Sequence, residues 1–398
     1  MSRRLEEAEE YAIDVIMGKR KGAQASILRT VLLGLSQLYT LGVQARLYLF
    51  RKRYIRDHQL GCLVISIGNL TVGGTGKTPV VEKFARALQN GGRRVAILTR
   101  GYKSKPPPDT RTIWDKLLLK KQVREPRIVS DGKNVLLDSE YAGDEPYMLA
   151  KNLKDVLVIV DKDRVKSGIR AIEEFGADTL LLDDGLQYLH LKHRLDIVLV
   201  DCQAPFGNEY LLPRGTLREP PRNLSRASYI FLTKSDGQNE ELIKRIRKYN
   251  RRAEIIECAH QPLHLENLHS GEIISLDFLK DKYVGALSGI ASPESFENGL
   301  RRLGATVELN KRFADHHRYT KEDLDAFLSR CIRRDVHAII TTEKDAVRFP
   351  KMEALEVPIF FLRVEIQILS GHETWEHCVR RICDPQHISP AEILLQAV

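Results

Sequence analysis

Between Val64 and Pro79 the chain reads Val-Ile-Ser-Ile-Gly-Asn-Leu-Thr-Val-Gly-Gly-Thr-Gly-Lys-Thr-Pro. An apolar run, a glycine-rich turn and a helix opening on Lys-Thr make a phosphate cradle. The N–H groups of the turn and of the helix N-terminus converge on anionic oxygens, and the helix dipole adds partial positive charge. Glycine suits such a turn because a side chain would block the approach of a phosphate and some positions need positive φ. The expected cradle is Thr71, Val72, Gly73, Gly74, Thr75, Gly76, Lys77 and Thr78. Lys77 has the reach for β- and γ-phosphates, and the Thr78 hydroxyl suits Mg²⁺. The usual motif has Gly five residues before Gly76, where this chain has Thr71. The strand before and the amphipathic helix after supply the context that a chance glycine turn lacks.

Further segments carry groups that would complete phosphoryl-transfer chemistry. The apolar run from Thr179 ends in Asp183 and Asp184. Beside a phosphate loop such carboxylates hold Mg²⁺ directly or through water; the plainer role is a pair of solvated acids at a strand end. Asp144 lies in Ala-Gly-Asp-Glu-Pro, ahead of a helix with Pro146 in its first turn. On pattern alone, capping is its simpler role. The turn-rich segment Leu212 to Pro220 contains Arg218 and Glu219. The arginine could neutralise charge on a transferring phosphoryl group and the glutamate could reach a metal. Otherwise they form a surface pair worth about 0–1 kcal/mol. Phe313 to Tyr319 gathers Asp315, His316 and His317, and an imidazole there could relay a hydroxyl proton near neutral pH. Zinc-finger spacing is lacking. Thr233-Lys234-Ser235-Asp236 resembles the guanine-reading element of GTPases.

These groups must be placed by regular elements. Apolar runs at 63–67, 95–99, 156–160, 180–183, 197–201 and 229–233 alternate with helical patterns. That alternation predicts a mostly parallel sheet with helices on both faces and a site at the carboxyl ends of the strands. After the glycine turn, Val80, Val81, Phe84, Ala85 and Leu88 share one helical face, which stops at Gly91-Gly92. The basic, proline-rich stretch Lys103 to Pro126 reads as a surface insertion, because Pro106 to Pro108 cannot pair inside a sheet. Extended runs at 255–259 and 271–276 read as a hinge ribbon, and a second α/β unit follows from Tyr283, with strands at 284–287, 337–341 and 357–362. The expected domains are an N-terminal membrane-interface helical region at 1–56, a nucleotide domain at 57–252, and a ribbon with a smaller α/β domain at 253–398.

At 398 residues the chain is long enough for two or three cores, and its net charge of +9 suits an anionic partner such as a nucleotide, a phospholipid surface, a phosphorylated substrate or nucleic acid. The six cysteines form no Cys-x-x-Cys pair and read as reduced, small apolar residues. Glu6, Glu7, Glu9 and Glu10 stand where a secretory signal would be basic, so no export is expected. Residues 26–50 are apolar but interrupted by Arg29, Gln37, Gln44 and Arg46. Ser26, Arg29, Thr30, Gln37, Thr40 and Gln44 fall near one helical stripe, with Leu28, Leu32, Leu35, Tyr39 and Leu49 away from it. Lys19 to Lys21 precede this segment and Arg51 to Arg53 with Arg56 follow it. A helix lying in an anionic membrane interface has this profile, and so has a helix packed on its own domain.

In their shared order the segments resemble the tetraacyldisaccharide 4'-kinase family, the kinases of the lipid A pathway. The resemblance runs from the N-terminal helix to about Phe349 through Gly68–Pro79, Arg100-Gly101-Tyr102, Val129–Gly132, Ala142–Pro146, Asp183–Gln187, Pro213–Pro220, Ser288–Phe296, Phe313–His317 and Thr342–Phe349. It implies an α/β fold of two α/β/α sandwich domains. One has a P-loop NTPase-like core with a mostly parallel sheet, a two-stranded hinge ribbon joins them, and an N-terminal interfacial helix is added. The implied reaction is MgATP-dependent phosphorylation of the 4'-hydroxyl of an acylated glucosamine disaccharide 1-phosphate. ATP and Mg²⁺ serve as cofactors, and the site lies between the domains. The implied partners are that lipid and the cytoplasmic face of the bacterial inner membrane, with no nucleic acid. By the same resemblance Asp144 and His316, rather than His317, form the base dyad. Lys77 and Arg218 contact phosphate, and Thr78, Asp183, Asp184 and Glu219 surround the metal. The chain departs from the family at Tyr188, where histidine is usual, and at Lys103-Ser104, where Gly-Arg usually follows the Arg-Gly-Tyr turn. Two other classes compete: a nucleotide-driven switch or metallochaperone, supported by Thr233 to Asp236, and a nucleic-acid binder, supported by charge alone.

Overall fold

The computed structural model describes residues 11–105, 125–350 and 355–384. Its strands, in chain order, are β1 Leu63–Asn69, β2 Val95–Thr99, β3 Arg127–Asp131, β4 Leu157–Val160, β5 Thr179–Asp183, β6 Leu195–Asp201 and β7 Tyr229–Thr233. There follow β8 Glu254–Asn267, β9 Ile273–Ile274, β10 Tyr283–Ser288, β11 Thr306–Arg312, β12 Ala338–Thr342 and β13 Ile359–Ser370. The helices that bear on function are α1 Ala23–Arg51, α2 Lys77–Asn90, α3 Asp144–Asn152 and the short α4 Glu343–Ala346. The chain divides into two compact units: the described residues up to Lys77 with Leu181–Ala259 and those from Ile368, and Thr78–Leu180 with His260–Gln367.

In the first unit β6 pairs in parallel with β1 and with β7, and β7 pairs in parallel with β8. Residues 64 to 69 of β1 are all buried, as a parallel strand covered on both faces requires. Leu70, Leu186, Val198, Phe206, Leu217 and Ile230 pack into one core. Gly68 is needed within it. A Cβ there would stand 2.7 Å from the Leu186 Cβ and 2.9 Å from its backbone nitrogen, so only glycine lets the segment after Asp183-Asp184 close on β1.

The second unit has β2 parallel to β4, with β3 antiparallel on the far side of β4. It also contains a parallel set in which β10 lies between β11 and β12, and β12 pairs with β13. Its helix α2 buries Val80, Val81, Phe84, Ala85 and Leu88, the face read from the sequence.

Helix α1 is turned inside out. Its hydrogen bonds to the first unit come from polar side chains: Ser36 Oγ donates to the Leu211 carbonyl (2.9 Å), Tyr39 OH to that of Arg218 (3.2 Å) and Arg46 to that of Gln187 (2.8 Å). Ile27, Val31, Leu35, Leu38 and Leu41 are exposed. Of the polar stripe read from the sequence, Arg29, Thr40 and Gln44 are half-buried and Ser26, Thr30 and Gln37 are exposed; Ser36 is buried, and Leu28 and Leu32 are half-buried.

Other departures have local causes. The strand β3 was hidden beside the proline-rich insertion, whose residues 106–124 lie outside those described. The polar, half-exposed β11 lacks a strand's apolar signature. The stretch expected as one arm of a ribbon forms a single long strand, β8, and its antiparallel partner β9 is only two residues long.

Candidate active site

The turn after β1 is pinned by the segment 216–218. Thr71 bridges Leu217, Val72 N donates to the Thr216 carbonyl (2.7 Å), and Arg218 N donates to that of Leu70 (2.7 Å). Gly73 and Gly76 take φ of 109° and 74°, conformations that favour glycine. Nothing lies within 4 Å of a Cβ built on Gly73 or Gly74. Thr71 and Thr75 are buried, and Val72 to Gly74 are exposed. Carbonyls of the turn are held from behind. Thr233 Oγ1 donates to Thr75 O (2.9 Å), and Lys234 Nζ donates to Gly74 O (3.2 Å) and pairs with Asp201 (2.5 Å). Two residues of the GTPase-like tetrapeptide are therefore braces of the loop. The carboxylate of Asp236 accepts from Gln238 N (3.0 Å).

At the mouth of the loop the charges neutralise one another. Arg218 makes a two-pronged contact with Asp184 (2.8 Å at each nitrogen), and Lys77 Nζ lies 3.6 Å from the same carboxylate. Asn69 Oδ1 accepts from Lys77 (3.2 Å) and from Arg218, and its amide donates to Thr71 O (2.9 Å). Asp183 is buried at the end of β5, and Asp184 follows with φ 54°. Asp183 and Asp184 are hard oxygen donors. Mg²⁺ is commonly held by one or two carboxylates completed by substrate phosphates and water, so the donor set fits it. Thr78 is the second residue of α2. Glu219 is a buried hub, accepting from Gln187 (3.1 Å), Asn223 (2.7 Å) and Arg226 (2.7 Å). Among the described residues no three His, Cys, Asp or Glu side chains close into a metal cage, so zinc at the histidine segment has no donor set.

The second unit builds a different centre. Asp144 opens α3, but Gly143, at φ 95°, occupies the cap position and no side chain caps this end. The carboxylate turns elsewhere. Its Oδ2 contacts His316 Nδ1 (3.0 Å) and accepts from Arg348 Nε (2.7 Å), and Oδ1 lies 3.5 Å from Arg318. Burial raises the proton affinity of Asp144, but the His316 contact and the charges of Arg348 and Arg318 outweigh it and hold the group below the ordinary carboxylate range. An ionised carboxylate only accepts, so His316 Nδ1 carries a hydrogen and the Nε2 lone pair is left for an incoming proton. Nε2 makes a long contact to Lys344 Nζ (3.4 Å), and Tyr102 lies edge-on to the ring at 5.5 Å. His317 is placed differently. Its Nε2 meets Asp323 (2.9 Å) and its ring stacks on Phe313 at 4.4 Å.

Asn69, Arg318 and Arg348 take part in these clusters and carried no role in the sequence reading, and Lys234, read there as part of a guanine-reading element, braces the loop. Asn69 and Arg348 lay within recognised motifs. A charged side chain in an amphipathic stretch gives no local sign that it turns inward.

The chain is similar to known proteins over most of its length. The family model for LpxK, tetraacyldisaccharide-1-P 4'-kinase, matches residues 28–383. The tetraacyldisaccharide 4'-kinase of Syntrophus aciditrophicus is 37% identical over 357 residues, covering 86% of this chain and 90% of the relative. That of Anaeromyxobacter dehalogenans is 40% identical over 321 residues, covering 79% and 80%. The crystal structure of Aquifex aeolicus LpxK in complex with ATP aligns with a TM-score of 0.70 at 30% identity, over 89% of this chain and 99% of that one. On the breadth of these matches, the chain belongs to the tetraacyldisaccharide 4'-kinase family.

Proposed function

We propose that this protein transfers the γ-phosphoryl group of ATP to the 4'-hydroxyl of a tetraacylated glucosamine disaccharide 1-phosphate, the kinase step of lipid A assembly. The observation that carries the reading is the 3.0 Å contact between Asp144 and His316, a proton acceptor that a kinase needs and a nucleotide switch does not. The dyad collects the hydroxyl proton through His316 Nε2 as bonding to phosphorus advances, and Asp144 balances the resulting imidazolium. Because the transition state is largely dissociative, most of the acceleration comes from positioning and charge neutralisation. Lys77 and Arg218 supply that neutralisation on the phosphates, and the turn from Thr71 to Thr78 cradles them. Asp183, Asp184 and Thr78 hold Mg²⁺, which when bound neutralises phosphate charge. Glu219, held by Gln187, Asn223 and Arg226, completes the carboxylates around the metal.

The lipid acceptor fits α1, whose outward face is apolar and whose ends are basic. The functional division follows: 1–56 meets the cytoplasmic face of the inner membrane, 57–252 handles nucleotide, and 253–398 carries His316. Nothing in this reading calls for nucleic acid.

The direct test supplies purified protein with labelled ATP, Mg²⁺ and the disaccharide 1-phosphate lipid, and label is expected on the sugar. Lys77→Ala should abolish turnover, and intact turnover would overturn the reading. Asp144→Ala should lower kcat by roughly 10²- to 10⁴-fold with the KM for ATP little changed. An equal loss of nucleotide binding would make the residue structural. GTP selectivity without sugar labelling would favour the switch.

A further inference from the structure

We propose that Arg348 is a positioning residue of the reaction: its buried guanidinium fork fixes the Asp144 carboxylate against His316 and so sets the tautomer of the imidazole. This rests on the kinase reading given above.

The side chain of Arg348 is wholly buried, and its Nε and Nη1 donate to protein acceptors. Nε donates to Asp144 Oδ2 (2.7 Å), Nη1 donates to Gly289 O (3.0 Å) and to Asp345 Oδ1 (3.2 Å), and Nη2 lies 3.5 Å from His316 Nδ1. Asp345 is itself immobilised. It accepts from Gly289 N (3.0 Å), Tyr319 OH (3.0 Å) and Thr342 Oγ1 (2.6 Å). A planar fork held on one side by Asp345 and the Gly289 carbonyl has one direction left for Nε, and that direction is the oxygen that also meets His316.

The charged groups around the centre are few. Asp144 faces His316, Arg318 and Arg348. His316 faces, besides Asp144 and Arg348, Lys344 and Asp315. Arg348 faces Asp144, Asp345 and His316, and Asp345 faces Arg348 and Tyr319. Arg348 is the buried cation in contact with Asp144, and Arg318 stands farther off, at 3.5 Å. Without it, burial would favour the protonated form of Asp144, and a protonated carboxyl no longer obliges Nδ1 to donate.

The test compares wild type, Arg348→Lys, and the double variant Arg348→Met with Asp345→Asn, which removes the Asp345 charge together with the cation and leaves Asp144 as the carboxylate whose hold is tested. Three quantities are read: kcat against pH, the KM for ATP, and the imidazole nitrogen resonances of His316 by NMR. In the double variant kcat should fall on the order of 10²-fold, the loss associated with a misplaced catalytic group. Its acid limb should move to higher pH with the KM for ATP unchanged, and the Nδ1–H signature of His316 should give way to a mixture. Arg348→Lys, which keeps the charge, should recover part of kcat and the wild-type limb. An unshifted limb and an unchanged tautomer would overturn the proposal. So would a loss of kcat that tracks the unfolded fraction or a matching rise in the KM for ATP. Should the double variant fail to fold, the lysine variant decides: a kcat below wild type with a weakened Nδ1–H resonance of His316 supports the hold of the fork, and a kcat and resonance equal to wild type overturn it. If wild type labels no sugar, the kinase reading fails, while the resonances still report on the hold of Arg348.

Discussion

At the scale of single residues the chemistry rests on Asp144, a buried carboxylate kept ionised by the groups around it. Its folded pKa lies below the ordinary value of 3.8, so the folded state binds its proton less tightly than the unfolded chain does. The stabilisation is therefore fully present above the unfolded value of about 3.9 and is lost as pH falls through the folded one. Urea melts of wild type and Asp144→Asn should show a difference that is constant from neutrality to about pH 4–5 and shrinks below that. A gap that persists in strong acid would mean the carboxylate is not held ionised. The backbone tells a related story. Asp184, Lys234 and His316 sit at φ of 54°, 54° and 67°, a region unusual for residues with side chains and associated with functional strain. Lys77, Asp144 and His316 were legible as chemical groups because their types and spacing are distinctive. Arg348 was not, since its partner Asp144 is 204 residues away in the chain.

At the scale of elements, periodicity revealed most of the sheet and half of the N-terminal helix. The buried parallel strands announced themselves as short apolar runs, and β11 did not because its polar side chains face solvent. For α1 the pattern gave an amphipathic segment but left its docking face open, because packing against either a membrane or a protein asks for one apolar and one polar side. Ser36, Tyr39 and Arg46 decide it: they bond to the protein, and Leu35, Leu38 and Leu41 point away. Leu38 and Leu41, at 67% and 68% exposure, are touched by little else in the protein. Replacing both with glutamate should leave the fold intact and release the protein from liposomes. At about 1.5–3 kcal/mol for each leucine moved into an apolar phase, the partition coefficient should drop at least tenfold. Full retention on liposomes, checked by flotation, would return α1 to a purely internal role.

At the scale of the whole molecule the net charge of +9 is the dominant property, and the basic residues that bracket α1 belong to it. Cations at an anionic surface contribute about 1 kcal/mol each and are screened by salt. Binding to anionic vesicles should therefore fall steeply with added salt, whereas residual binding to zwitterionic vesicles should change little. Equal salt response on both would remove the electrostatic half of the membrane argument. The α/β class and the order of motifs were legible at this scale because strand and helix periods alternate along the chain. Which distant stretches would gather was not. The contact of Asp144 with Arg348 depends on how β-strands far apart in sequence carry their loops together, and no local pattern encodes it.

The triangle of Lys77, Arg218 and Asp184 has a bearing on selectivity. A bare phosphate reaching the glycine turn meets two cations already committed to an internal carboxylate, so it must compete with Asp184 for them and gains little. A nucleotide arriving with its own divalent ion makes a different exchange. Under the proposed kinase reaction Asp184 would hold the ion, and Lys77 and Arg218 would turn to neutralise the triphosphate. The same ion pairs would in that way set metal-complexed nucleotide apart from loose phosphate before any base or sugar is read.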